Sequence, residues 1–114
     1  MRRGIYKDRI TIEANTTVEN EFGSVPGPWE AIKDGYRIPA EVQDTLPSKS
    51  EAVKQGIRVN SRPARVRIPY LRGITSDMRI VVHGETSRIM QIIAGPAEMG
   101  RREGIEMVVM EYSS

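Results

Sequence analysis

Between Ala64 and Ala94 apolar residues recur at every second position in three short runs, and glycine-bearing turns separate the runs. Ala64, Val66, Ile68 and Tyr70 alternate with Arg65, Arg67 and Pro69. A period of two places alternate side chains on opposite faces of an extended strand, whereas a helical face repeats at three and four residues. The run therefore predicts a strand with one buried face. Met78 to Val82 and Arg88 to Ala94 predict two more, joined as a hairpin through His83-Gly84-Glu85-Thr86 and ended by Gly95 and Pro96,.

The flanking regions extend this pattern. Ile10, Ile12 and Ala14 alternate with Arg9, Thr11 and Glu13, which predicts a strand near the start of the chain,. From Asn15 to Gly35 the turn-forming residues Gly23, Pro26, Gly27 and Pro28 predict a long irregular connection, with Trp29 and Ile32 pinning it to the core,. Tyr36, Ile38, Ala40 and Val42 alternate with polar residues and Pro39. The missing amide of Pro39 predicts an edge strand or a bulge,. Leu46 to Ser61 is polar and reads as a loop holding at most one short helix,. Glu98 to Gly104 reads as a loop before a last strand, Ile105 to Tyr112. In that strand Ile105, Met107 and Val109 face one way, and Val108 and Met110 the other, so a neighbour is expected to cover the second face,. The expected fold is all-β: a single domain over residues 1–114, forming a small antiparallel β-barrel or barrel-like sandwich of about six strands with long irregular loops,. Closing such a sheet also removes unpaired edges that promote aggregation.

Composition narrows the class further. The apolar fraction of 39%, counted without Gly, lies below the usual ~45–50%, a figure that also counts Gly,. A thin core in a chain of 114 residues suits a subunit stabilised by its neighbours, or equally a modestly stable soluble monomer,. Net charge is only +2, but Arg outnumbers Lys 13 to 4. Guanidinium groups make planar paired contacts and are enriched in interfaces, where Lys is depleted. The chain has no Cys, which excludes disulfides and thiolate metal sites,. Met1-Arg2-Arg3 is followed by Lys7, Asp8 and Arg9, so no signal-peptide core is expected,. The longest apolar run, Met107-Val108-Val109-Met110, is too short to span a bilayer as a helix,. Synthesis and retention in the cytoplasm are expected, unless the protein leaves inside a larger particle.

No catalytic constellation is legible. His83 is the only histidine, and it sits at a predicted turn. Nucleophilic catalysis needs a base beside the nucleophile, and no Gly-x-Ser-x-Gly pattern is present,. Gly23-Ser24-Val25-Pro26-Gly27 lacks the Gly-Lys-Ser/Thr ending of a phosphate loop,. The chain is expected to be no enzyme and to need no cofactor or metal. The one electrostatic anomaly is a basic strip of Arg58, Arg62, Arg65, Arg67, Arg72 and Arg79, with Asp77 as its single acid. Arg65 and Arg67 share a strand face. Such a strip touches DNA phosphates, or is solvated, or pairs with acids of neighbouring subunits such as Glu19, Glu21, Glu41 or Glu106,.

The order of these residues resembles the head–tail joining proteins of tailed bacteriophages, a family of adaptor, stopper and head-completion subunits. Val66-Arg67-Ile68-Pro69-Tyr70, Gly73-Ile74, Asp77-Met78-Arg79-Ile80, Gly84 and Ile89-x-x-Ile92 carry the resemblance. Asp8-Arg9-Ile10-Thr11-Ile12, Phe22-Gly23, Trp29, Ala40-Glu41-Val42, Arg101-Arg102 and Met107-Val108-Val109-Met110-Glu111 extend it over nearly the whole chain. Two places depart from the family pattern. Ser87 and Arg88 stand where an aromatic is common, and Pro47-Ser48-Lys49-Ser50-Glu51 only approximates a Gly-x-Glu.

The resemblance implies a non-enzymatic component of the phage neck, found in the virion and made in the bacterial host. It implies a homo-oligomeric ring of about six or twelve copies, with the portal or adaptor above, tail proteins below and packaged double-stranded DNA in the channel. The ring retains DNA and offers the tail a docking surface. Within that reading Pro47, Ser48, Lys49, Ser50, Glu51, Lys54 and Gln55 form a candidate channel-gating loop. The Asn15 to Gly35 segment is the second candidate, or docks on a neighbouring ring. The competing expectations are a small nucleic-acid-binding β-barrel acting alone, or another neck or tail completion protein.

Overall fold

The computed structural model describes residues 6–44 and 63–111. It contains β1 (Asp8–Asn20), β2 (Gly23–Ala31), β3 (Ile38–Asp44), β4 (Pro63–Pro69), β5 (Arg79–His83), β6 (Arg88–Met99) and β7 (Gly104–Glu111). No helix occurs among the described residues, and the strand pairings are antiparallel. The order is β2-β1-β3-β4-β7-β6-β5, and a further β1–β5 pairing closes six of the strands on themselves. The antiparallel all-β class expected from the period-two runs is the observed one.

The inward face follows directly from that alternation. Ile10, Ile12, Ala40, Val66, Ile68, Ile80, Met90, Met107 and Val109 are almost wholly buried in one cluster drawn from all six closing strands. On β4 and β7 the residues between them, Arg65, Arg67, Glu106 and Val108, point outward. β1 supplies the closure because, besides its hairpin partner β2, it pairs with both β3 and β5. Residues 8–10 pair with β3, while residues 9–13 pair with β5.

The structure corrects three expectations. The 15–35 segment is mostly regular: 13–20 of β1 pair with 23–31 of β2 as a long hairpin turned at Glu21 and Phe22. Pro26, Gly27 and Pro28 are tolerated because β2 has a ladder on one side only, and proline is accepted at such an edge,. β6 does not stop at Gly95-Pro96, whose peptide bond is cis. It crosses them through two register shifts and pairs with β7 as far as Met99 opposite Gly104, so the predicted 98–104 loop shrinks to a turn at 100–103. β3 lies between β1 and β4 and is not an edge. Its β1 ladder covers residues 38–40 and its β4 ladder starts at Glu41, so Pro39 has a strand on one side alone. Val108 and Met110 lie on the outward face of β7 and stay partly exposed, as the expectation of a covering neighbour requires.

The strand directions separate two ends. β1 begins, and β3 and β7 finish, at the end that carries the 83–87 turn; the chain leaves it at Asp44 and re-enters at Pro63. The β1–β2 hairpin and the outer part of the β6–β7 hairpin project from the opposite end.

Tyr6 packs at the first end, buried just before β1. Burial, reinforced by the negative charge of Glu41 and only partly offset by Arg67, pushes its hydroxyl above the usual tyrosine value. A raised acid favours the neutral form in the folded state. Its stabilisation is complete below about pH 10 and is lost as pH rises through the folded value. In alkaline denaturation the wild type should lose stability above that pH, and Tyr6→Phe should lose less over the same interval.

Candidate functional site

The sequence strip of arginines is dispersed by the fold. Arg58 and Arg62 lie outside the described residues, as do all seven residues of the candidate gating loop. The β4–β7 register sets Arg67 opposite Glu106, and the Arg67 Nε donates to Glu106 Oε1 at 2.8 Å. Arg65 Nε reaches the same oxygen at 3.6 Å. The bond to Glu106 holds the Arg67 guanidinium above its ordinary value. Arg79 opens β5 opposite Glu13 of β1, bonds to its Oε1 at 2.7 Å, and lies 4.5 Å over the Trp29 ring of β2. Arg72 is exposed beside Tyr70 and Leu71. Three of the four arginines of the strip among the described residues therefore meet an acid of their own chain.

Glu13 and Arg79 are each about one-fifth exposed, so their charges are partly desolvated. Glu13→Gln keeps the shape and removes the charge. It should lower stability by about 1–2 kcal/mol, more than an exposed pair would. Equilibrium unfolding at low and high salt measures it, and a loss that persists in high salt marks the pair as partly buried.

Arg88 makes a second cluster at the end where the chain leaves β3. Its Nε donates to Glu111 Oε1 at 2.9 Å and one terminal nitrogen donates to Asp44 Oδ1 at 3.0 Å. Burial opposes its charge, but the two carboxylates together hold it above its ordinary value. The cluster ties β3, β6 and β7 across that end of the sheet. Nothing local in the sequence joins Arg88 to Asp44 and Glu111, which the strand order β3-β4-β7-β6 brings together.

Three surface features remain. First, the outward face of β5, β6 and β7 carries an apolar band. Val81 pairs with Ile89, Met110 pairs with Gln91, and Ile93 and Val108 stand beside them. Ile89 is 44% exposed and Ile93 39%. Second, the hairpin tip presents Phe22, 88% exposed, with Val18 and Val25 paired on the ribbon behind it. The triplet Thr16-Thr17-Val18 followed by Asn20-Glu21-Phe22-Gly23 was the available signal, since β-branched residues followed by a glycine turn mark a hairpin,. Gly23 takes φ +112°, a conformation glycine enters without strain,. Third, a cleft of about 430 Å³ opens between Lys33, Asp34, Tyr70, Leu71 and Arg72.

Among the described residues no three acidic or histidine side chains gather as a metal site. His83 Nε2 and Thr11 Oγ1 share a hydrogen bond of 2.6 Å, and Thr11 Oγ1 also accepts from the Arg37 amide. This contact joins β5 to β1 at the closing seam. No helix of the described residues is long and apolar enough to cross a membrane.

A closed antiparallel sheet with an outward apolar band and a projecting hairpin defines the class: a small all-β protein with apolar residues on its outer face. The chain belongs to the phage head completion protein family, whose profile matches residues 1–111. It is similar in structure to protein SF1141 from Shigella flexneri 2a, solved in solution. The two share 28% identity over 97% of this chain and 96% of that one, with a TM-score of 0.70. Comparison with curated proteins gives no significant match. Family membership makes the chain a virion component with a role in the head–tail connector, in contact with other phage head and tail proteins.

Proposed function

We propose that this chain is a non-enzymatic closure subunit of the neck. Copies assemble as a ring beneath the portal, retain packaged DNA and present a docking face to the tail. Within the family assignment, the observation that carries the reading is the apolar band on β5, β6 and β7. A water-facing apolar strip bounded by ion pairs on β4–β7 and β1–β5 has the make-up of a contact face: an apolar centre with a charged rim,. Adjoining neck proteins cover it in the virion. Synthesis takes place in the host cytoplasm before assembly.

The rival, a nucleic-acid-binding module acting alone, needs uncommitted cations. The Glu106 and Glu13 pairings use much of the charge of Arg65, Arg67 and Arg79 within the chain, which favours the neck reading. The two readings part in solution. The neck subunit should bind duplex DNA weakly and form rings at high concentration or on purified portal, seen by sedimentation and electron microscopy. Tight binding by a stable monomer, falling steeply between two salt concentrations, would establish the rival instead.

Ile89→Asp and Ile93→Asp test the band. Both positions are only about two-fifths exposed in the isolated subunit and Asp is a poor strand residue, so each substitution should cost about 1 kcal/mol, and a thermal melt checks that the fold survives,. Particles carrying either substitution should fail to join heads to tails. Full infectivity with both would remove the band from the neck contacts.

A further inference from the structure

We propose that the tip of the β1–β2 hairpin of one copy docks in the Lys33–Tyr70–Leu71–Arg72 cleft of the next copy. The inference rests on the ring reading above and names the contact that builds the ring.

The two surfaces complement each other in shape and charge. At the tip, Phe22 projects beyond the ribbon, Val18 and Val25 lie behind it, and Glu19 and Glu21 are exposed beside it. Residues 14–28 include no Lys or Arg. The tip is thus an aromatic knob in an anionic setting.

The cleft is the opposite. Its lining combines the apolar surfaces of Tyr70 and Leu71 with the cations Lys33 and Arg72, and Asp34 is its one acid. Asp34, Tyr70 and Leu71 also line an adjoining recess of about 150 Å³ that adds Ile38, Pro39 and Pro69. Arg102 lies 5.8 Å from the centre of the Tyr70 ring, adding a third cation at the rim. A volume of about 430 Å³ falls in the range that holds small ligands, and it accommodates one aromatic side chain with its neighbours,.

The tip cannot fill the cleft of its own chain. Residues 14–20 extend the ribbon roughly 23 Å at about 3.3 Å per residue,. The cleft lies at the ribbon's foot, where β2 ends at Ala31 and the chain passes through Lys33 and Asp34. A knob and a socket on different patches of one subunit make a heterologous contact, which repeats from copy to copy and closes when the rotation between copies divides a full turn. An aromatic knob suits this role because it buries a large area with few rotatable bonds.

The absence of cysteine allows a direct test. A chain carrying both Phe22→Cys and Leu71→Cys is assembled into particles and oxidised. We expect a ladder of disulfide-linked oligomers that reductant collapses to one band. Phe22→Cys with Glu85→Cys, at the far end of the sheet, should give none. Phe22→Ala should weaken lateral assembly about thirtyfold, the equivalent of a ~2 kcal/mol aromatic hot spot. Glu19→Lys with Glu21→Lys should abolish it, and adding Lys33→Glu with Arg72→Glu should restore it. Thermal melts of each variant confirm that the fold is intact. Particles that show a ring of this chain but no ladder overturn the docking and leave the ring standing. A ladder from copies that electron microscopy shows in an open or helical array supports the docking and removes the ring. Cross-links from position 22 to a different neck protein overturn self-docking.

Discussion

Ile80→Ala should lower the unfolding free energy by about 2–5 kcal/mol. Ile80 is fully buried on β5, opposite Ile12 of β1 on one side and Met90 of β6 on the other. These three side chains form one row across the seam where the sheet closes. Truncation removes the transfer energy of the lost carbons and leaves a hole between two strands already held by their ladders, so collapse is limited. Domains of this size have about 5–15 kcal/mol of total stability, and the core here is thin. The substitution therefore uses a large share of the reserve. Chemical denaturation should show a lower midpoint with an unchanged slope. A loss under about 1 kcal/mol would mean that β1 and β5 do not hold a packed seam.

Gly95→Ala should cost about 1–3 kcal/mol, through backbone strain more than lost contacts. Gly95 has φ +91°, a region that disfavours any residue with a Cβ,. The added Cβ would also stand 3.0 Å from the Glu106 carbonyl oxygen, 3.2 Å from the Ala97 nitrogen and 3.2 Å from the Met107 Cα. All three are backbone atoms of the β6–β7 ladder, so no rotamer change relieves the contact. Gly73 makes the matched control. It has φ +90° but nothing within 4 Å of an added Cβ, so Gly73→Ala should show the conformational cost alone. A melting-temperature loss larger at position 95 than at 73 is the expected result. Equal losses would show that the crowding at Gly95 is relieved by movement of β7.

The comparison of these glycines shows where sequence reading stops. A glycine before a proline looks like the end of a strand, as at Gly95-Pro96. The β6 backbone instead bulges there and continues, because β7 offers a partner as far as Gly104. The β1–β2 hairpin was hidden for a related reason. Pro26 and Pro28 break a strand that is flanked on both sides, but β2 is flanked on one. Whether a residue without an amide donor is tolerated depends on which neighbours the strand has, and neighbours are a long-range property.

The charged residues teach the same lesson. Arg67 and Glu106 stand 39 positions apart, and Arg79 and Glu13 stand 66 apart. Nothing local selects those partners from the other acids in the chain. The register of β4 on β7 and of β5 on β1 selects them. The cleft has the same origin: Lys33 and Asp34 lead into β3 and Tyr70 to Arg72 follow β4, so it exists only once β3 pairs with β4.

By itself, the sequence determined the all-β class, most of the inward-facing residues and the phage head completion family. A period of two is a local property of each strand, written into consecutive side chains. Tertiary structure alone decided that β1 is shared between β3, β5 and β2, that the 15–35 stretch stands out as a hairpin, and which arginines are neutralised. These depend on the pairing of distant strands, and pairing is settled by the free energy of closing and burying the whole sheet together.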